Sequence, residues 1–128
     1  YCMETLLAST QENLDALRSQ LDQSCDCVVL NQSPSHIKIH VHTDDILGCS
    51  ELLKGFGHII HQKIDDIKIQ WAVNEHRKHK IAIVTDSSAD LPQGFRDSAQ
   101  IHVIPNQVRV GEHTLLDRLT INLNALFA

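Results

Sequence analysis

The stretch His36-Ile37-Lys38-Ile39-His40-Val41-His42-Thr43-Asp44 constrains this chain more than any other. Ile37, Ile39 and Val41 alternate with His36, Lys38, His40 and His42. Successive side chains on a strand point to opposite faces, so this pattern predicts a strand with one apolar face and one histidine-rich face. Thr43 suits a helix N-cap. Asp44 and Asp45 are then expected in the first helical turn, where the macrodipole favours acids.

The flanking residues read as alternating elements. Residues 2–8 suit a short strand. Ser9-Thr10-Gln11-Glu12 has capping-box form, and Leu14, Leu17 and Leu21 follow at helical spacing, which predicts a core-facing helix over about 10–23. Cys27, Val28, Val29 and Leu30 suit a strand, and residues 31–35 a turn. Ile46, Cys49, Leu53 and Phe56 form the stripe of a second helix that Gly55 and Gly57 end. Residues 59–64 read as a further strand. The fold class expected is therefore α+β, a ferredoxin-like split βαβ sandwich closing near residue 65. Ile67, Ile69 and Trp71 fit a strand or a helix, and the polar stretch from Asn74 to Lys80 reads as a connector.

A second unit starts at Lys80. Ile81-Ala82-Ile83-Val84 is a continuous apolar run, as in a buried parallel strand. A polar loop over 85–92 leads toward a helix. Ile101, Val103 and Ile104 form another apolar run, Val108 and Val110 a third, and Gly111-Glu112-His113 a turn. Leu119, Leu123 and Leu126 predict a helix over 117–127. This is the start of an α/β domain, and roughly 50 residues are too few to bury a doubly wound sheet. The expected division is 1–73, a connector at 74–79, and 80–128. Pairing of the open sheet edges with another copy is one expectation for the second part.

Charge and cysteine usage narrow the function. The net charge of −5 argues against nucleic acid, whose phosphates require a basic face. No apolar run is long enough for a membrane span. Residues 1–8 lack the form of a signal peptide, so a cytoplasmic location with reduced thiols is expected. Tyr1 in place of Met marks an expected piece of a longer protein. Cys25-Asp26-Cys27 suits neighbouring positions on one strand face. There is no GxGxxG or GxxxxGK[ST] loop, so nucleotide binding by this chain is not expected.

Two resemblances add to this reading. Tyr1-Cys2, the 37–44 string, Gly57, Ile64-Asp65-Asp66 and Gln70 resemble the middle domain of the ATP-binding component of bacterial fatty acid kinase, a dihydroxyacetone-kinase-like family. Lys80-Ile81-Ala82-Ile83-Val84-Thr85-Asp86-Ser87-Ser88-Ala89-Asp90-Leu91-Pro92, then residues 101–105 and Asp117, resemble the start of DegV-type fatty-acid-binding proteins. Together they imply a fusion in which the full-length protein handles a fatty acid or acyl phosphate beside a kinase. This segment is expected to be a non-catalytic regulatory or binding module.

Two candidate sites follow. His40 and His42 share one strand face, and Cys2 on a neighbouring strand would supply a thiolate. Zinc accepts this donor mix, and the kinase resemblance implies zinc held by these three. Spacing alone favours solvent-facing histidines and a small core cysteine, because HxH is a weak signal; the resemblance is what turns the reading toward a metal. Water, Asp44 or a partner's side chain is the expected fourth ligand. Asp86, Ser87 and Ser88 follow a strand where open α/β sheets bind ligands, and the DegV resemblance places a lipid head group there. The plain alternative is a helix cap. No catalytic residue is assigned. The rival functions are a small zinc-dependent hydrolase built on Cys2, His40 and His42, and a structural domain whose histidine face makes a homodimer.

Overall fold

A computed structural model describes residues 1–9 and 13–127. The first half contains β1 (Cys2–Ala8), α1 (Leu14–Leu21), β2 (Asp26–Gln32), β3 (His36–His42), α2 (Ile46–Lys54), β4 (His58–Asp65) and α3 (Ile67–Glu75). The four strands form one antiparallel sheet in the order β2-β3-β1-β4. The β-α-β-β-α-β order expected from the sequence is present. Met3, Leu7, Ile37, Ile39, Val41 and Ile59 point from this sheet into the core. Leu17 and Leu21 of α1 and Ile46, Cys49 and Leu53 of α2 cover them.

Several boundaries differ from expectation. Thr10, Gln11 and Glu12 of the expected capping box lie outside the described residues. Helix α1 begins later, because Asn13 caps it by accepting the Ala16 N–H at 3.0 Å. Thr43 does not cap α2. Its Oγ1 accepts the Asp45 N–H at 3.0 Å, and Asp45 is the cap, accepting from Gly48 N at 2.8 Å. The two acids therefore precede α2. Residues 67–75 are helical, started by Asp66, whose carboxylate accepts the N–H groups of Lys68 and Ile69.

Cys25 and Cys27 do not share a strand face. Cys25 precedes β2 and packs against the core, whereas Cys27 is exposed with a left-handed φ of 53°. The β2–β3 register shifts between Asp26 and Val29, and this bulge removes the simple alternation.

The second half contains β5 (Ile83–Asp86), α4 (Gln93–Ser98), β6 (Ile101–Ile104), β7 (Gln107–Val110), β8 (His113–Leu116) and α5 (Leu123–Leu126). Strands β5 and β6 pair in parallel with α4 between them, the opening of an α/β unit. The 81–84 run is not buried as expected: Ile81, Ile83 and Val84 are exposed. The continuous helix expected over 117–127 does not form; only Leu123–Leu126 is helical. Thr120 accounts for the break. Its hydroxyl is fully buried and accepts the Leu116 N–H at 2.8 Å, holding a compact turn.

Strand β8 has no clear signal in the sequence, and it joins the two halves. It pairs with β7 in a hairpin and packs beside β4. Leu115 enters the core cluster, with Val110, Leu119 and Ile121 against it. A buried polar network crosses the join. Gln62 Nε2 donates to Ser50 Oγ at 3.2 Å and Thr5 Oγ1 at 3.4 Å, and Thr120 Oγ1 donates to Gln62 Oε1 at 2.8 Å. The connector is also held. Lys78 N donates to Gln100 Oε1 at 2.8 Å, and Gln100 Nε2 donates to His76 O at 2.9 Å.

Candidate metal centre

The antiparallel register of β1 and β3 sets Cys2 opposite His42 and Glu4 opposite His40. Alternation then does the sorting. Met3, Thr5 and Leu7 on β1 and Ile37, Ile39 and Val41 on β3 are buried, so Cys2, Glu4, His40 and His42 occupy the other face. Cross-strand neighbours on one face lie within reach of a shared ligand.

Cys2, His40 and His42 each offer a ligand atom, and the three atoms lie within 4.8 Å of one another. Cys2 Sγ is 3.9 Å from His40 Nδ1 and 4.0 Å from Nε2. The two imidazole centroids are 5.2 Å apart and tilted. A tetrahedral ion with N and S ligands would hold these atoms about 3.5 Å apart, so small side-chain rotations suffice. One thiol and two imidazoles are a donor set for a borderline metal ion. The arrangement therefore fits a metal.

The electrostatics agree. Glu4 Oε1 lies 3.6 Å from His40 Nδ1, and Asp26 stands opposite His42 and Asp65 opposite Cys2 in the strand registers. Burial, then the nearby Asp65 and Glu4, push the Cys2 thiol above its usual value. The carboxylates that raise it favour a cation at this position, and a metal bound there would displace the thiol proton. Asp44, one of the three expected candidates for a fourth ligand, lines a cleft of about 460 Å³ with Tyr1, Lys68 and Arg96. Glu4 is the more telling acid, and its signal in the sequence is its place two residues after Cys2 on the same strand face.

The Asp86-Ser87-Ser88 loop lies elsewhere: it begins at the last residue of β5, forms a 3-10 turn that Asp86 caps, and is occupied by its own hydrogen bonds. Ser87 is buried; its hydroxyl donates to Asp117 Oδ2 at 2.7 Å and accepts from Asn106 N at 3.1 Å. Asn106 Nδ2 donates to Ser88 Oγ at 2.9 Å, and Asp86 Oδ1 accepts the Ser88 N–H at 2.9 Å. Asp86 and Ser88 are the exposed members of the loop. No helix among the described residues is long and apolar enough to cross a membrane.

Residues 1–74 match the family model for the FakA-like middle domain of fatty acid kinase. Residues 80–128 match the DegV family model, described as an uncharacterised protein family. No curated protein matches the chain.

Proposed function

We propose that this chain, which belongs to the FakA-like middle-domain family of fatty acid kinase through its first 74 residues, is a non-catalytic, zinc-holding binding module of a lipid-handling protein. The observation that carries the reading is the convergence of Cys2, His40 and His42 ligand atoms within 4.8 Å on the polar sheet face. Zinc is the ion this thiol and imidazole set suits best, and when bound it would act as a structural clamp between β1 and β3. Cys2 and the two histidines are its ligands in this reading, with Glu4 orienting the His40 ring.

The lipid side of the proposal rests on the DegV match that follows in the same chain. A fatty acid or acyl phosphate would be the ligand of the full-length protein, and a kinase or lipid-binding unit of the same system its partner. Ile83, Val84 and Ile104 on the β5–β6 pair are exposed and supply apolar surface of the kind this needs. Asp86 and Ser88 are proposed at the head-group end. The units are drawn at 1–73 and 80–128, with 74–79 between them. The role is regulatory: the zinc-clamped sheet holds the lipid-bearing unit in a set position through β8.

Elemental analysis of protein purified without chelator, and again after zinc reconstitution, tests this. About one zinc per chain is expected, lost on His42→Ala. Protein that holds no zinc and has the same stability with and without chelator would overturn the reading.

A further inference from the structure

A pair of thiols lies away from the metal cluster, in the helical layer behind the sheet. Cys25 Sγ is 3.8 Å from Cys49 Sγ. Cys25 ends the turn that follows α1, its N–H bonded to Leu21 O at 2.8 Å, and is partly accessible. Cys49 lies in α2 and is 4% exposed. Neither belongs to the Cys2, His40 and His42 group. A disulfide needs a sulfur separation of about 2.05 Å, so closure asks for an approach of ~1.8 Å, shared between two side-chain rotations and the turn that carries Cys25.

We propose that Cys25 and Cys49 form a reversible disulfide on exposure to a hydroperoxide, making this pair an oxidative modification site. Cys25 is the thiol that the oxidant reaches. Its thiolate attacks one peroxide oxygen and the O–O bond breaks. The other oxygen leaves as an alcohol or water after taking a proton, and Cys25 becomes a sulfenic acid. Cys49 Sγ then attacks Cys25 Sγ. The S–S bond forms, the S–O bond breaks, and the hydroxyl leaves with the Cys49 proton as water. In sum, two thiols lose two electrons, and one hydroperoxide becomes one alcohol and one water.

The division of roles follows from position. Burial, followed by the neighbouring Cys25, pushes the Cys49 thiol up to about 12, so Cys49 is not the thiol that the peroxide oxidises first. Cys27 is the more exposed thiol, but Cys25 is the one that faces Cys49. The bond would tie the end of α1 to α2, across a separation of 24 residues.

The test uses the full chain treated with hydrogen peroxide, then alkylated and mapped without reduction. The expected product is lighter by about 2 Da, carries a Cys25–Cys49 cross-linked peptide and reverts with dithiothreitol. Cys25→Ser should abolish the cross-link while the variant still unfolds cooperatively in reductant. Cys49→Ala should leave Cys25 as a sulfenic acid that dimedone traps. If that variant fails to fold, the peptide map and Cys25→Ser decide. A cross-link between any other pair overturns the proposal. So does a gain of about 32 Da at Cys25 with Cys49 still alkylated, since that is a sulfinic acid without a resolving thiol.

Discussion

The backbone N–H of Ile59 donates to Nδ1 of His113 at 3.1 Å. Ile59 lies on β4, the edge of the main sheet, and His113 opens β8. One imidazole therefore occupies an edge donor that would otherwise invite another strand. An imidazole accepts such a bond only while that nitrogen is unprotonated.

This makes stability depend on pH. Burial, then Lys54 and His58, depress the His113 pKa below 6.5, against weaker opposing effects of Glu51 and Glu112. A depressed pKa means that the unfolded chain binds the proton more readily. The contribution is complete above the unfolded value and is lost as pH falls through the folded one. Wild-type Tm should drop on going from pH 7.5 to pH 5.5, and His113→Gln should flatten part of that drop while lowering Tm at pH 7.5. Parallel Tm profiles for the two proteins would show that His113 carries no pH dependence.

Gln62 ties β1, β4 and α2 to the Thr120 turn through buried polar groups. Thr120→Val keeps the shape but orphans the Leu116 N–H and Gln62 Oε1. The expected cost is about 1–3 kcal/mol by urea unfolding, since a buried group left unpaired loses its full solvation. Gln62→Ala should cost more, because a cavity is added. A change below about 0.5 kcal/mol for Thr120→Val, the range of ordinary surface substitutions, would mean that the network does not join the halves.

Two glycines should respond differently to alanine. A Cβ on Gly57 would sit 2.5 Å from the Ala8 carbonyl oxygen, and neither backbone can yield cheaply. Gly111 has a φ of 60° with open space around it, so its cost is confined to the left-handed backbone, about 1 kcal/mol. Gly57→Ala should be the more destabilising in denaturant titration, and the reverse order would contradict the β1–β4 approach.

At the metal cluster, Cys2→Ser and His42→Ala should abolish zinc retention, whereas His36→Ala should not, since His36 stands opposite Ala8 at the far end of the strand pair. Glu4→Gln should weaken zinc affinity by about 10-fold or more if the carboxylate orients the His40 ring. Competition with a chromophoric chelator reads all four. An unchanged affinity in Glu4→Gln would remove that role from Glu4.

The hydrolase alternative separates cleanly from these. With wild type and His42→Ala side by side, ester and phosphoester screens should give the same background rate. A rate that follows zinc occupancy would make the cluster catalytic.

Local pattern determined a good deal here. The alternation from His36 to His42 was enough to put His40 and His42 on one face, because side-chain direction on a strand follows from chain geometry alone. The leucine stripe of α1 was legible because a helix repeats every 3.6 residues. Tertiary structure decided the rest. Cys2 meets His42 through a pairing of strands distant in the chain, and register is set by which faces find the core. Glu4 beside His40, Cys25 beside Cys49 and His113 beneath Ile59 are likewise contacts between distant segments. The 117–127 stripe failed for the same reason. Its Thr120 found buried partners in Leu116 and Gln62, and those bonds outweighed a weak local preference for helix.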